Sequence, residues 1–279
     1  MIVDSGKAAA YSLAVSALVA IIFIDIELYI IPDQINAFLL FVGLGYNFYL
    51  YAQGSNVAFT WGMPSSVAGA LVGVGVLWGI AFLGRVLFRK DAMGHGDIKM
   101  ARGIGAILFP ALAGVSFGLA VGLGAVLGIL QILIRKSPPG KLVQDGQVLK
   151  DGGEATVAQD DSEEYEPESI ASLLKCGVGY LLCFDVIGLF LPKFYIAYFS
   201  EDPYAPLEDL EDFEVEQTMI PFGPYLALGA ILAALFEKQL LGVVHAYLQH
   251  TGIAPAYFFG TIGKNWMSTT RLESGLGRK

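Results

Sequence analysis

Long apolar runs separated by short polar turns dominate this chain, and their lengths are those of membrane helices. A bilayer core takes about 20 apolar residues per helical span. On that rule spans fall near residues 9–31, 35–53, 65–88, 98–112 and 113–135. The first runs from Ala8 to Ile24 and on through Ile30. It does not read as a cleaved signal peptide: MIVDSGK lacks a strongly basic start, no Ala-x-Ala site follows, and the next apolar helix begins almost at once.

An insert from about Ser137 to Thr218 interrupts the pattern. Its flanks, QDGQVLKDGGEATVAQDDSEEYEPES and EDPYAPLEDLEDFEVEQ, are acidic and read as solvated loops. Between them SIASLLKCGVGYLLCFDVIGLFLPKFYIAYF is apolar enough to cross or to lie along a membrane, although Lys175, Asp185, Pro192 and Lys193 argue against a clean span. Beyond IPFGP, the run from Leu240 to Gly260 is one more span or a surface helix. The tail of Lys264, Arg271, Arg278 and Lys279 is basic, which favours the cytoplasm and a return crossing.

Composition agrees with that pattern: 55% of the 279 residues are hydrophobic, only 15% are charged and 34 are glycine, and the mean hydropathy is +0.59. An all-α fold is predicted, a polytopic transmembrane bundle of about six to eight apolar helices with a long acidic cytoplasmic insert. Its expected parts are catalytic helices over 1–136, the insert over 137–218, C-terminal membrane helices over 219–262 and a basic tail over 263–279. Nucleic-acid binding is excluded by a net charge of -9 and the lack of a basic stripe. Cys176 and Cys183 lie seven residues apart in one apolar run, and His95, His245 and His250 have no common metal spacing. These facts argue against a zinc site and for structural or surface histidines.

Loop charges set the orientation. Lys and Arg concentrate in Arg85, Arg89, Lys90, Lys99 and Arg102 around the third and fourth spans, and in Arg135, Lys136 and Lys141 after the fifth. Those loops are expected to be cytoplasmic. AQGSNVAFTWGMPSS and the turn near FPALAG carry neither residue and should face outward. The loop with Pro32 and Asp33 then shares the cytoplasmic side with the Gly94, Gly96 and Asp97 loop.

Asp25 in FIDIELYIIPDQ and Asp97 in MGHGDIKM each stand at the edge of an apolar segment, and the alternation of spans brings them to one side. An ionised Asp near the centre of a membrane helix costs about 2.5 to 3.5 kcal/mol on insertion scales, so it normally faces a cavity, a partner or a reaction. Two neighbouring carboxyls cannot both ionise easily and titrate as a coupled pair. Such a pair suits peptide hydrolysis: one carboxylate takes a proton from water while the protonated partner polarises the scissile carbonyl. Neither metal nor organic cofactor is required.

Each residue has a plainer reading too. Asp97 precedes IKMARGIGAILF and could cap that helix; Asp33, after Pro32, reads first as a cap or turn. Asp25 has apolar neighbours and no helix start, so a structural role for it needs a buried partner. Gly94 and Gly96 allow close backbone approach and positive φ before Asp97, whereas Gly69 and Gly73 suit close helix packing. Lys99 either neutralises nearby carboxylates or sits at the cytoplasmic interface, the second being the favoured reading.

Three stretches resemble the type IV prepilin peptidases, bacterial membrane aspartic proteases with a GxGD motif. FIDIELYIIPDQINAFLLFVGLGYN is similar to their first aspartate block, GHGDIKMARGIGAIL to their GxGD block, and IPFGPYLALGAILAAL to the block that follows later. The resemblance implies that Asp25 and Asp97 are the catalytic pair, Gly94 and Gly96 the motif glycines, and Asp33 an accompanying aspartate. It implies cleavage of the short leader of prepilins or pseudopilins on the cytoplasmic side of the bacterial inner membrane, in the service of pilus or type II secretion machinery. The family's amino-terminal module, with a four-cysteine zinc site and N-methylation of the new terminus, is not in this sequence, whose Met1 stands twenty-four residues before Asp25: either the gene lacks the module, or the start is placed too late, or the chain is a fragment. Peptidase activity is therefore expected and methyltransferase activity left unassigned.

Family topology keeps both ends of the insert cytoplasmic, so its apolar segment is expected to be interfacial or a re-entrant pair rather than one crossing. Its acidic flanks either attract a basic leader or only keep the loop soluble, the second being favoured. The alternative function is a small transporter or channel with Asp25 as proton or ion relay. Such a protein has no need of a second aspartate in a glycine loop on the same side.

Overall fold

The computed structural model of the chain describes residues 5–88, 93–134, 169–199 and 221–251. The acidic flanks at 144–168 and 201–217, the basic tail at 263–279, and Arg89, Lys90, Arg135, Lys136 and Lys141 lie outside the described residues.

The described chain is helical apart from one small hairpin. α1 (Ser5–Leu28), α2 (Asp33–Ala52) and α3 (Ser65–Phe88) are each long and apolar enough to cross a membrane. Their lipid-compatible faces carry exposed Phe23, Phe48 and Leu83, while Ile21, Leu39 and Leu77 fill the core. Between α2 and α3, β1 (Phe59–Thr60) pairs antiparallel with β2 (Met63–Pro64). Trp61 and Gly62 both take positive φ in the two-residue turn, the geometry that matches the strand twist.

α4 (His95–Ile134) contains a reversal at Phe109, where φ is 61° and ψ 170°, followed by Pro110. Forty helical residues would extend about 60 Å, twice the hydrocarbon thickness. Ile104 and Ile107 line a small apolar cavity with Ala230, while the adjacent Gly229 abuts Ser116 and Ala120. Ile104 and Ala120 would lie about 24 Å apart in a straight helix, so the chain doubles back and both limbs flank one segment. The fourth and fifth apolar runs are thus two antiparallel limbs, and the turn falls in the FPALAG segment. The ring of Phe109 stacks on Tyr46 at 5.8 Å, seating the reversal against α2.

Small residues set how closely these helices approach. A Cβ on Gly69 would run into the Gly105 carbonyl, and one on Gly73 into that of Ala101. The four-residue step on both helices makes a backbone-to-backbone seam between α3 and the first limb of α4.

The insert's apolar segment forms three short helices, α5 (Ile170–Leu181), α6 (Phe184–Phe190) and α7 (Pro192–Phe199). The left-handed Cys183 separates α5 from α6, and the two axes meet at 74°. α5 is tied to α3 by Trp78 Nε1 donating to the Leu173 carbonyl at 3.1 Å. On α6, Val186 packs with Ala37, Leu40 and Ala106. α8 (Gly223–Leu235) lies against α1 and both limbs of α4. It bends by 89° into α9 (Glu237–Thr251), whose first residue pairs with Lys7 at 2.5 Å.

Lys99 and Arg102 are 6% and 1% exposed and paired to carboxylates. Both lie in a helix rather than a charged loop, and Lys99 pairs with Asp33, the neutralising role read beside the interfacial one. Their pairing also explains how apolar helices carry them.

Candidate active site

α1 stops just past Asp25. The amide of Tyr29 donates to the Asp25 carbonyl at 3.1 Å, and Tyr29 itself takes a φ of 55°, a left-handed closure that ends a helix. The segment that follows leads Ile31 back over the end of the bundle. Asp25 is 4% exposed.

Asp97 comes from the start of α4. With His95 the first helical residue, Gly94 stands at the cap position and Asp97 third in the helix. Its carboxylate accepts from the Gly94 amide, with Oδ2 beside Gly94, the return half of a capping box, the other half being absent because glycine has no side chain. Asp97 is therefore not the cap residue itself. Capping occupies only one of its oxygens: Oδ1 is buried and takes no hydrogen bond among the described residues, as is true of Asp25 Oδ2.

The two carboxyls lie within electrostatic range of one another. Asp25, Asp97, Gly94 and Gly96 are thus brought together at one end of the bundle. Ile31 packs on Gly96, with its Cβ 3.1 Å from where a side chain would begin, and also on Gly223. Gly223, the first residue of α8, lays its main chain directly on the Asp25 carboxylate, where a Cβ would collide with Oδ2. Gly223 and Ile31 were missed as site residues. Gly223 stands inside the IPFGP block, and the Pro-Phe-Gly-Pro punctuation of a helix start was the available signal.

Asp33 and Lys99 form a second centre behind Asp97. Lys99 Nζ donates to Asp33 Oδ2 at 2.7 Å and to Tyr195 Oη at 3.1 Å. It lies 5.4 Å and 5.6 Å from the ring centres of Tyr180 and Tyr195, a cation–π setting for a desolvated ammonium. Asp33 does not cap α2, whose cap position is Pro32 with no side-chain bond. One helical turn deeper, Arg102 makes a bidentate pair with Asp185, Nη1 to Oδ1 at 2.7 Å and Nη2 to Oδ2 at 2.6 Å, and Nη1 also donates to the Tyr180 carbonyl at 2.9 Å. Asp185, which argued against a clean span, is the partner that lets Arg102 be buried.

Fold and site together define a multi-pass helical membrane protein with two buried aspartates within electrostatic range of one another at one end of the bundle. Residues 12–129 match the type IV leader peptidase family. Relatives named prepilin leader peptidase/N-methyltransferase include one from Aeromonas salmonicida strain A449, 32% identical over 145 residues, covering 52% of this chain and 47% of the relative. Another, from Myxococcus xanthus strain DK1622, is 30% identical over 241 residues, covering 83% of this chain and 63% of the relative. A third, from Pseudomonas aeruginosa, is 28% identical over 148 residues, covering 53% and 48%. The chain thus spans about half the length of the Aeromonas and Pseudomonas relatives. No solved structure gives a significant match.

Proposed function

We propose that this chain is an aspartic endopeptidase that removes the leader of type IV prepilins or pseudopilins, with Asp25 and Asp97 as its catalytic pair. The observation that carries the reading is the convergence of those two buried carboxyls from α1 and α4, each with one oxygen that takes no hydrogen bond among the described residues. The ionised member takes a proton from water, and the protonated member hydrogen-bonds the scissile carbonyl and later returns a proton to the leaving amine. Gly223 lets main chain reach the Asp25 carboxylate where a side chain would not fit. Ile31 packs over Gly96 and Gly223 beside the pair.

The site end is assigned to the cytoplasmic boundary of the bacterial inner membrane, with Arg85 in the last turn of α3 on the same side. A basic leader would stay in water there while the following pilin helix remains in lipid. Asp33 and Lys99 act as supports, neutralising each other beside the reacting pair.

The test is co-expression with a tagged prepilin, comparing the native chain with Asp25→Asn and Asp97→Asn, membrane insertion being checked for each. Asparagine keeps the shape and removes the titrating group. Each variant is expected to insert normally and to lose at least about 10²-fold in cleavage rate. Cleavage surviving either change removes that residue from the mechanism.

A further inference from the structure

The first limb of α4 has two working faces. His95, Lys99, Arg102 and Ala106 recur at helical spacing and fall within about 60° on one side, with Asp97 nearly opposite. Three of those residues bond side chains of the insert helices, His95 through Tyr180, Lys99 through Tyr195 and Arg102 through Asp185, and Ala106 lies in one buried cluster with Val186. The helix that presents Asp97 on its front is gripped along its back by α5–α7.

Tyr180 is the centre of that grip. Its hydroxyl meets His95 Nδ1 at 2.8 Å, its ring faces Lys99 Nζ, and its carbonyl accepts from Arg102. Stacking on Phe199 at 5.6 Å fixes the ring, and the residue is 2% exposed. One side chain and its carbonyl thus hold three successive positions of the stripe. The contact nearest the chemistry is with His95, two residues before Asp97.

We propose that Tyr180 is a positioning residue for the turn that carries Asp97, acting through His95. It touches neither the reacting carboxyls nor a substrate. Its hydroxyl stops the first turn of α4, where helical hydrogen bonds are incomplete, from rotating Asp97 away from Asp25. The insert is then a part of the site's scaffold. For catalysis this rests on the peptidase reading above; for the geometry of the turn it stands alone.

The test compares the full chain with Tyr180→Phe, which removes only the hydroxyl, and with Trp78→Phe, which removes the bond from α3 to α5 and leaves His95 untouched. In prepilin cleavage, Tyr180→Phe should lower kcat about ten-fold or more with KM changed less than about two-fold, since small misplacements of a reacting group act on the chemical step. His95→Leu should match that loss, the Tyr180→Phe, His95→Leu pair should be no worse than either alone, and His95→Asn, which keeps an acceptor near Nδ1, should restore most of the rate. Trp78→Phe should cleave like the native chain. Hydrogen exchange of amides 98–101 is the readout that needs no activity: several-fold faster in Tyr180→Phe, unchanged in Trp78→Phe. Native kcat and native exchange in Tyr180→Phe would overturn the proposal, as would an equal loss in Trp78→Phe. If no chain cleaves prepilin yet the exchange contrast holds, the positioning of the turn stands and the peptidase reading fails.

Discussion

Replacing Asp185 by asparagine tests how the insert is held to the bundle. Arg102 and Asp185 are 1% and 3% exposed, so neither charge has water to fall back on. The native pair makes two parallel hydrogen bonds of 2.7 Å and 2.6 Å. An amide at position 185 can accept only one of them and presents an NH₂ to the other guanidinium nitrogen. Breaking a buried pair from one side costs about 3 to 5 kcal/mol, because the remaining charge is left uncompensated. The Tyr180 carbonyl still accepts from Nη1 at 2.9 Å, which places the expected loss at the lower end, about 3 kcal/mol. That is roughly two decades in the unfolding equilibrium. Reversible unfolding in mixed micelles, followed by circular dichroism, measures it. The double replacement Arg102→Met, Asp185→Leu should recover most of the loss, because it removes both charges. A loss below about 1 kcal/mol for Asp185→Asn, or a double variant as unstable as the single, would refute the claim that desolvation dominates here.

Gly223→Ala drives a methyl into the Asp25 carboxylate and Ile31. It should cut prepilin cleavage about ten-fold or more, at a stability cost of about 1 to 3 kcal/mol, read by kinetics and unfolding on the same preparation. Gly105→Ala meets the Gly69 backbone, which cannot rotate away, whereas Gly75 has open space around it. The first should destabilise by about 1 to 3 kcal/mol, and Gly75→Ala should be neutral or stabilising by up to about 1 kcal/mol, in the same micelle assay.

Apolar run length determined the membrane class and the main helices, because a bilayer demands about 20 uninterrupted apolar residues and satisfies backbone groups only within helices. It also called for a turn near FPALAG between spans at 98–112 and 113–135, and the break falls at the start of that stretch, at Phe109 and Pro110. Asp25 and Asp97 were legible as a candidate pair for the same reason: a carboxyl at the edge of an apolar segment is costly, and two on one side ask for a joint role. What pairwise contact decides was not legible. Lys99 and Arg102 read as surface charges because a local sequence cannot show a partner 66 or 83 positions away; only packing brought Asp33 and Asp185 to them and made burial affordable. Asp33 read as a cap because local hydrogen bonding is the default for Asp after Pro, and an ammonium delivered from α4 overrode it. Gly223 and Tyr180 stayed hidden on the same ground. Their significance lies in the backbone of one segment lying on Asp25 and in the ring of another reaching the back of the Asp97 turn, relations between elements that exist only once the helices are assembled.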